Sequence, residues 1–303
     1  MRRLLFLLDH IALCALVAIV FHQGARDVVA PWAFLAFLAL AELFFLFQYR
    51  KEQNRTAASW IILLIWLLML VWECCATQWD VAHPVLIPSP ENVFNVFFTE
   101  WKQLLRGLYS STQLLVIGFA LALSLGVGLG LLTGWVDGLR RVAYPIAYVI
   151  SPIPPVVYAP YLIALMPTFR SASALVITLG IFFPTYLNMI VRVQSVDRRI
   201  IDSARMLGVT TPQMVGKILL PYVLPGLVSS LKVSLSMSVM MLTFAEMMGA
   251  TSGVGYFIIN YTHYGNYTNV VAGIILVAVW VTVLNKLVNL LERKVVKGGE
   301  GLG

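Results

Sequence analysis

Two stretches of this sequence limit what it can fold into more than any other feature. AASWIILLIWLLMLVW, Ala57 to Trp72, and LLVIGFALALSLGVGLGLLTGW, Leu114 to Trp135, carry no charged residue. At about 1.5 Å of rise per helical residue, they approach or exceed the roughly 30 Å of a bilayer's hydrocarbon core. No soluble core needs several such runs in series. Of 303 residues only 12% are charged, and the mean hydropathy is +0.86, so too few polar side chains are present to coat a water-facing surface. The expected fold class is an all-α integral membrane protein.

Hydropathy and helix length predict eight spans, at about 4–21, 31–48, 57–74, 111–135, 141–166, 171–193, 221–248 and 268–291. The opening MRRLLFLL fits a signal peptide as well as a first helix. A retained helix is the better reading, because no small-x-small cleavage pattern precedes Gln23 and a second apolar run follows at once. Basic residues favour one side. Arg2 and Arg3, the group Arg50, Lys51 and Arg55, the pair Arg140 and Arg141, the group from Arg192 to Lys217, and Arg293, Lys294 and Lys297 share it, against Arg26, Lys102, Arg106 and Arg170 opposite. The positive-inside rule therefore puts both termini in the cytoplasm. A net charge of +7 needs no nucleic acid, since basic residues beside anionic membrane lipid account for it.

One cytoplasmic segment departs from the pattern. DSARMLGVTTPQMVGKILLP, Asp202 to Pro221, reads as a small helical hairpin. Arg198 to Leu207 is expected to form a short helix stopped by Gly208 in a left-handed conformation. Thr211 is the expected N-cap, and Pro212 the first residue of a second helix over 212–220. Pro221 and Pro225 are expected to mark re-entry into the membrane. Ala204 and Gly208, four residues apart, are expected to let the two short helices approach closely. Such a hairpin can serve as a DNA reader, as an amphipathic element on lipid, or as a dock for a cytoplasmic protein. A DNA reader tethered at both ends between spans has little reach to a groove.

The spacing Asp202-Ser203-Ala204, three residues, Gly208, nine residues, Ile218-Leu219-Leu220-Pro221 resembles the EAA loop of permease subunits of binding-protein-dependent ABC importers. That pattern is Glu-Ala-Ala, three residues, Gly, nine residues, Ile-x-Leu-Pro. Asp202 stands for the Glu and Ser203 for the first Ala, while Ala204, Gly208, Ile218, Leu220 and Pro221 match in type and spacing. PSPENVFNVF (Pro88 to Phe97), ISPIPPVVYAPYLI (Ile150 to Ile163), FFPTYLNMIVRVQSVD (Phe182 to Asp197) and AEMMGATSGVGYFI (Ala245 to Ile258) are similar to permeases of the nitrate, sulfonate and taurine branch. The resemblance covers about Pro88 to Lys294.

This resemblance implies a polytopic helical bundle of the type I ABC importer permease kind, here with about eight transmembrane helices, in a bacterial inner membrane. Permeases of the branch usually have about six spans, so residues 1–56 would be an additional N-terminal helix pair. Residues 57–110 would form a transmembrane helix plus an outer amphipathic helix, 111–294 the core permease domain with its coupling loop at 195–220, and 295–303 a cytoplasmic tail. The implied partners are a second copy of the permease, a cytoplasmic ATPase dimer and an extracytoplasmic solute-binding protein. ATP and Mg would sit on the ATPase, leaving this chain without catalytic residue, cofactor or metal. Asp202, Ser203, Ala204, Arg205, Gly208, Ile218, Leu220 and Pro221 would make the ATPase contact, with Arg198 a further charge partner. The implied substrate is a small anion or zwitterion such as nitrate, a sulfonate or taurine.

Gly126, Gly130 and Gly134 line one helix face, as either a static packing seam or a moving one. Pro152, Pro154, Pro155 and Pro160 are expected to break the fifth span, and backbone freed in this way lines a pathway or gate. Lys232 lies eleven residues beyond Pro221, where it either snorkels to a helix end or meets an anionic substrate. Glu246 suits a structural or gating role, and Glu42 is expected to pair with a neighbouring helix. Cys74 and Cys75 read as small residues at a helix end or as a vicinal thiol pair for a soft metal. Pro90 to Leu108 reads as an amphipathic helix on the outer surface, and the tyrosines of Thr251 to Asn269 as interfacial anchors.

Two other classes compete. A secondary transporter or channel without ATP often shows matched broken helices in two halves, but no second half resembles residues 141–193. A membrane-embedded enzyme needs convergent polar groups, whereas His10, His22, His83 and His263 are scattered and neither HExxH nor GxSxG occurs.

Overall fold

The structure, a computed structural model, describes residues 2–22, 24–51 and 55–299; the side chains of Arg2, Arg3, Lys51, Val228, Ser229, Lys232, Leu291 and residues 293–299 lie outside that description. Among the described residues all regular structure is helical. The helices are α1 (Arg2–Val20), α2 (Pro31–Lys51), α3 (Arg55–Glu73), α4 (Pro90–Thr99), α5 (Trp101–Trp135), α6 (Asp137–Ile150), α7 (Pro155–Leu165), α8 (Phe169–Gln194), α9 (Arg198–Met206), α10 (Thr211–Gln213), α11 (Leu220–Gly249), α12 (Val254–His263) and α13 (Tyr267–Gly299). Two π-helical turns, Cys74–Gln78 and Met214–Leu219, extend α3 and join α10 to α11.

Among the described residues five helices are long and apolar enough to cross a bilayer: Pro31–Arg50, Arg55–Gln78, Trp101–Trp135, Phe169–Gln194 and Tyr267–Leu290. Two bent pairs add up to two more, Asp137–Ile150 with Pro155–Leu165 at 95° and Val233–Gly249 with Val254–His263 at 45°. Among the described residues these make five to seven candidate spans, where eight were expected. The expected first span is α1 (Arg2–Val20), within which Leu4–Val20 counts as a shorter apolar helix among the described residues.

Three boundaries differ from expectation. The amphipathic helix predicted over Pro90 to Leu108 ends at Thr99, and residues from Trp101 on belong to α5, which is 35 residues long instead of starting at 111. Proline is absent from 101–135, so nothing interrupts the hydrogen-bond ladder there. Much of the loop predicted over Thr251 to Asn269 is α12. The second hairpin helix does not stop at Pro221 but runs on through Pro221 and Pro225 as α11.

The described residues form two compact units, one running up to Leu105 with Phe257–Ile275, the other comprising Arg106–Tyr256 with the residues from Leu276 on. In the first, α1 packs on α3 and α2 on α4, around fully buried Leu16, Phe34, Leu38 and Trp66. Phe94 of α4 stacks on Phe34 and Phe37, with ring centroids 5.4 and 4.1 Å away. The polar groups in these apolar helices are grouped. His10 Nδ1 donates to the Phe6 carbonyl at 2.8 Å, and its Nε2 lies 3.3 Å from Glu42 Oε1, the pairing expected of Glu42. The connecting loops are stapled by Arg26, which bonds to Asp80 and to the carbonyls of Ala82 and Ile87.

In the second unit α8 is the central post, packed against α5, α6, α7 and α11. A capping box at Thr168 and Ser171 starts it, the Ser171 N–H donating to Thr168 Oγ1 at 3.2 Å. The glycine face of α5 packs on it at regular intervals. A Cβ at Gly118, Gly126, Gly130 or Gly134 would come within 2.6 to 3.0 Å of Ile177, Thr185, Met189 or Val193 respectively. Tyr186 Oη donates to Thr133 Oγ1 across the same seam at 2.9 Å. Gly126, Gly130 and Gly134 are thus a close helix–helix seam, as small residues four apart allow.

Candidate functional site

The hairpin between α8 and α11 forms an elbow whose geometry follows from local sequence. Asp197 Oδ1 accepts from the Arg199 amide at 2.9 Å and so caps α9. Helix α9 ends at Met206, where Gly208 adopts φ +70°, the left-handed value expected. The expected reason for the glycine is only half right, because a Cβ there would meet nothing within 4 Å. Gly208 serves backbone conformation, not close approach. The N-cap of the second helix is Thr210 instead of Thr211; its amide donates to Gln213 Oε1 at 3.0 Å, and Pro212 still falls in the first turn.

Ala204 is the small residue that packs. It is 5% exposed, within a cluster formed by Leu131, Met189, Val193, Val196, Met214, Leu219, Val223 and Leu227. Leu219 and Met214 carry much of this burial, at 0% and 1% exposed, yet the motif drew attention to Ile218 and Leu220, which are only half-buried. The π turn explains the mismatch: its i to i+5 bonding, such as Leu220 N–H to Val215 C=O, shifts which residues face inward.

The rest of the elbow projects. Asp202, Ser203, Arg205, Gly208 and Pro221 are exposed. Met206 and Leu207 are 91% and 84% exposed on a hairpin that belongs to no span, and the motif did not single them out. An adjacent cavity of about 320 Å³ is lined by Trp135, Asp137, Gln194, Arg198, Asp202 and Arg205 among others. The Arg205 guanidinium lies 5.4 Å from the Trp135 ring centroid and 3.9 Å from Asp202 Oδ1, and Arg140 pairs with Asp137 at 2.8 Å. These exposed pairs add little stability, on the order of 0–1 kcal/mol each. They leave a polar, charged recess beside two bare apolar side chains, a surface suited to a protein partner.

The candidate pathway residues fall at separate places. Pro152 and Pro154 are exposed in the break between α6 and α7, where the chain turns by 95°. Pro155 is buried at the first turn of α7, and Gly180 of α8 approaches so closely that a Cβ would lie 3.0 Å from its Cγ. Pro160 does not break the helix as expected but lies within α7. The side chain of Lys232 is outside the described residues.

Glu246 is 1% exposed and closes a compact knot at the bend between α11 and α12. Ser111 Oγ donates to its Oε1 at 2.6 Å, and the Gly255 amide donates to its Oε2 at 2.8 Å. Ser111 Oγ in turn accepts from the Val254 amide at 2.9 Å. The carboxylate therefore satisfies the free Gly255 N–H at the start of α12, where the helix dipole also favours it, and Ser111 takes that of Val254. Gly253 makes room: at φ +135°, a Cβ would fall 2.4 Å from the Glu246 carboxyl carbon. Two carboxylates that sequence reading passed over, Glu73 and Glu91, are also fully buried. They are 18 positions apart, and only the fold brings them to Thr77.

Comparison with known proteins places this geometry in context. Residues 123–297 match the family described as binding-protein-dependent transport system inner membrane component. A Bacillus subtilis (strain 168) permease protein, whose name assigns it to aliphatic sulfonates transport, is 31% identical over 82% of this chain and 91% of its own length. The taurine transport system permease protein of Escherichia coli (strain K12) is 26% identical over 75% of this chain and 85% of its own. A nitrate import permease protein of Leptolyngbya laminosa is 27% identical, with 82% and 88% covered. An inward-facing structure of the MetNI methionine ABC transporter superposes with a TM-score of 0.58 at 22% identity, covering 65% of this chain and 98% of that one.

Proposed function

The chain belongs to the binding-protein-dependent transport system inner membrane components, within the nitrate, sulfonate and taurine branch of ABC importer permeases, and from that premise we propose that its elbow is the element that couples transport to a separate ATPase. One observation carries the proposal. The EAA-type pattern coincides with a capped hairpin, outside every span, that presents Met206 and Leu207 almost bare. Burying an apolar side chain of this size is worth about 1.5–3 kcal/mol, so the two supply a substantial part of a dock. Asp202, Ser203, Arg205 and Gly208 form the exposed rim of that dock, Ala204 its packed floor, and Ile218, Leu220 and Pro221 the start of the helix that carries motion into the membrane.

ATP and Mg belong to the ATPase in this reading, and this chain is the pathway-forming subunit of the importer. Two copies enclose the path, a solute-binding protein delivers substrate, and both termini lie in the cytoplasm. The break at Pro152, Pro154 and Pro155, together with Lys232 and Glu246, is assigned to the pathway or its gate. Residues 111–294 are the conducting core with its coupling loop at 195–220, preceded by an extra helix pair at 1–56 and the 57–110 segment and followed by the tail 295–303. The substrate is a small anion or zwitterion such as nitrate, a sulfonate or taurine, a reading supported by the names of the relatives.

The test is affinity purification of the tagged chain in gentle detergent, followed by mass spectrometry. An ATPase subunit should copurify and be lost with Gly208→Glu. A monodisperse assembly of this chain alone, moving solute without ATP, would replace the proposal with an ATP-independent transporter.

A further inference from the structure

We propose that Glu73, Thr77 and Glu91 form a proton-binding site in which two fully buried carboxyl groups hold one proton between them. Glu73 ends α3, Thr77 lies in the π turn that follows, and Glu91 is in the first turn of α4. Their exposures are 0%, 1% and 0%. Thr77 Oγ1 lies 3.2 Å from Glu73 Oε2 and 3.3 Å from Glu91 Oε2. A hydroxyl has one hydrogen and can donate to only one of these oxygens. The other contact is attractive only when that carboxyl is protonated and donates to Oγ1.

The remaining oxygens make the same demand independently. Glu73 Oε1 and Glu91 Oε1 are both buried with no donor from the protein. Two ionised carboxylates in this position would leave charge out of water without compensation, which costs several kcal/mol. Among the described residues no cation pairs with Glu73 or Glu91. Arg26 is committed to Asp80 and to the carbonyls of Ala82 and Ile87. Gln78 is bonded to the carbonyls of Ile19 and His22, and the His83 ring accepts from the amides of Val85 and Leu86. From the π turn itself only Cys74 and Cys75 are titratable. Among the described residues no group of three His, Cys, Asp or Glu is arranged to hold a metal ion.

Burial pushes the Glu91 carboxyl above its ordinary range. The fold therefore binds this proton more tightly than the unfolded chain does. Its contribution to stability is complete below the ordinary glutamate value of about 4.3 and is lost as pH rises through the raised value. The joint it secures, between α3 and α4, then loosens in alkali.

The decisive measurement is the infrared difference spectrum of the full chain in detergent at neutral pH, wild type minus the E73Q/E91Q double variant. A protonated-carboxyl band alongside a carboxylate band is the expected result, and a difference containing carboxylate bands alone overturns the proposal. Single variants give a second reading. A glutamine amide donates to Thr77 as the protonated acid does, so E73Q and E91Q should lose at least about half of the alkaline decline in melting temperature. A decline parallel to wild type in both overturns the site.

Discussion

Replacing Gly130 by alanine, with Gly128 as its control, isolates the α5–α8 seam. A Cβ on Gly130 lies 2.6 Å from Met189 Cβ and 3.0 Å from the Tyr186 carbonyl oxygen, whereas one on Gly128 meets nothing within 4 Å. Ordinary contact between carbons is about 3.5–4.0 Å, so at position 130 the helices must separate by roughly 1 Å. Overpacking of this kind costs about 1–3 kcal/mol. Alanine regains up to about 1 kcal/mol of helix propensity at either position, and less where the unfolded reference keeps its helices in the detergent. Gly128→Ala is therefore expected to be neutral or stabilising by up to about 1 kcal/mol. Gly130→Ala should be about 1–3 kcal/mol worse than that control. The assay is thermal inactivation in mild detergent, read as the monodisperse fraction that survives heating. Equal midpoints for the two variants would refute the close seam.

At the elbow, Gly208→Asn should keep ATPase copurification better than Gly208→Ala, because asparagine tolerates φ +70° and alanine there carries about 1–2 kcal/mol of strain; the reverse order would restore the close-approach explanation. Met206→Ser with Leu207→Ser should leave the melting temperature unchanged and weaken ATPase recovery at least about tenfold, and undiminished recovery would remove both residues from the dock. Glu246→Ala leaves Ser111 and the Gly255 amide without their acceptor and is expected to cost about 1–3 kcal/mol in a detergent melt. A wild-type midpoint would mean that the knot contributes no stability.

The fold was legible where it depends on composition and period. Charge-free runs locate the membrane helices, and four-residue glycine spacing predicts a close seam, whose partner α8 only the fold supplies. Reading failed where a local rule had no visible marker. Nothing in WKQLLRGL separates an interfacial helix from the first turns of a membrane helix, and its continuity with the following residues decides. The π turn at Met214–Leu219 shifts the inward face by a residue, so Leu219 was passed over beside Ile218 and Leu220. Within the elbow, Gly208 was legible as a helix stop, yet its open surroundings could be known only from coordinates. Glu73 and Glu91 look like ordinary polar residues at helix ends, and only tertiary contact through Thr77 gives them a role.

The helix that begins at Thr211 passes through the π turn and reaches Gly249 without a break. The elbow and the Glu246 knot therefore occupy opposite ends of one shaft, roughly 50 Å apart. A beam of that length pivoting near its middle against α8 carries each end about 2 Å for every 5° or so of tilt, in opposite directions. That displacement is comparable to a hydrogen-bond length. On the proposed function, a modest rotation driven at the nucleotide end would suffice to unseat Ser111 and Gly255 from the carboxylate. The two ends then work as a seesaw, with no relay of side chains needed between them.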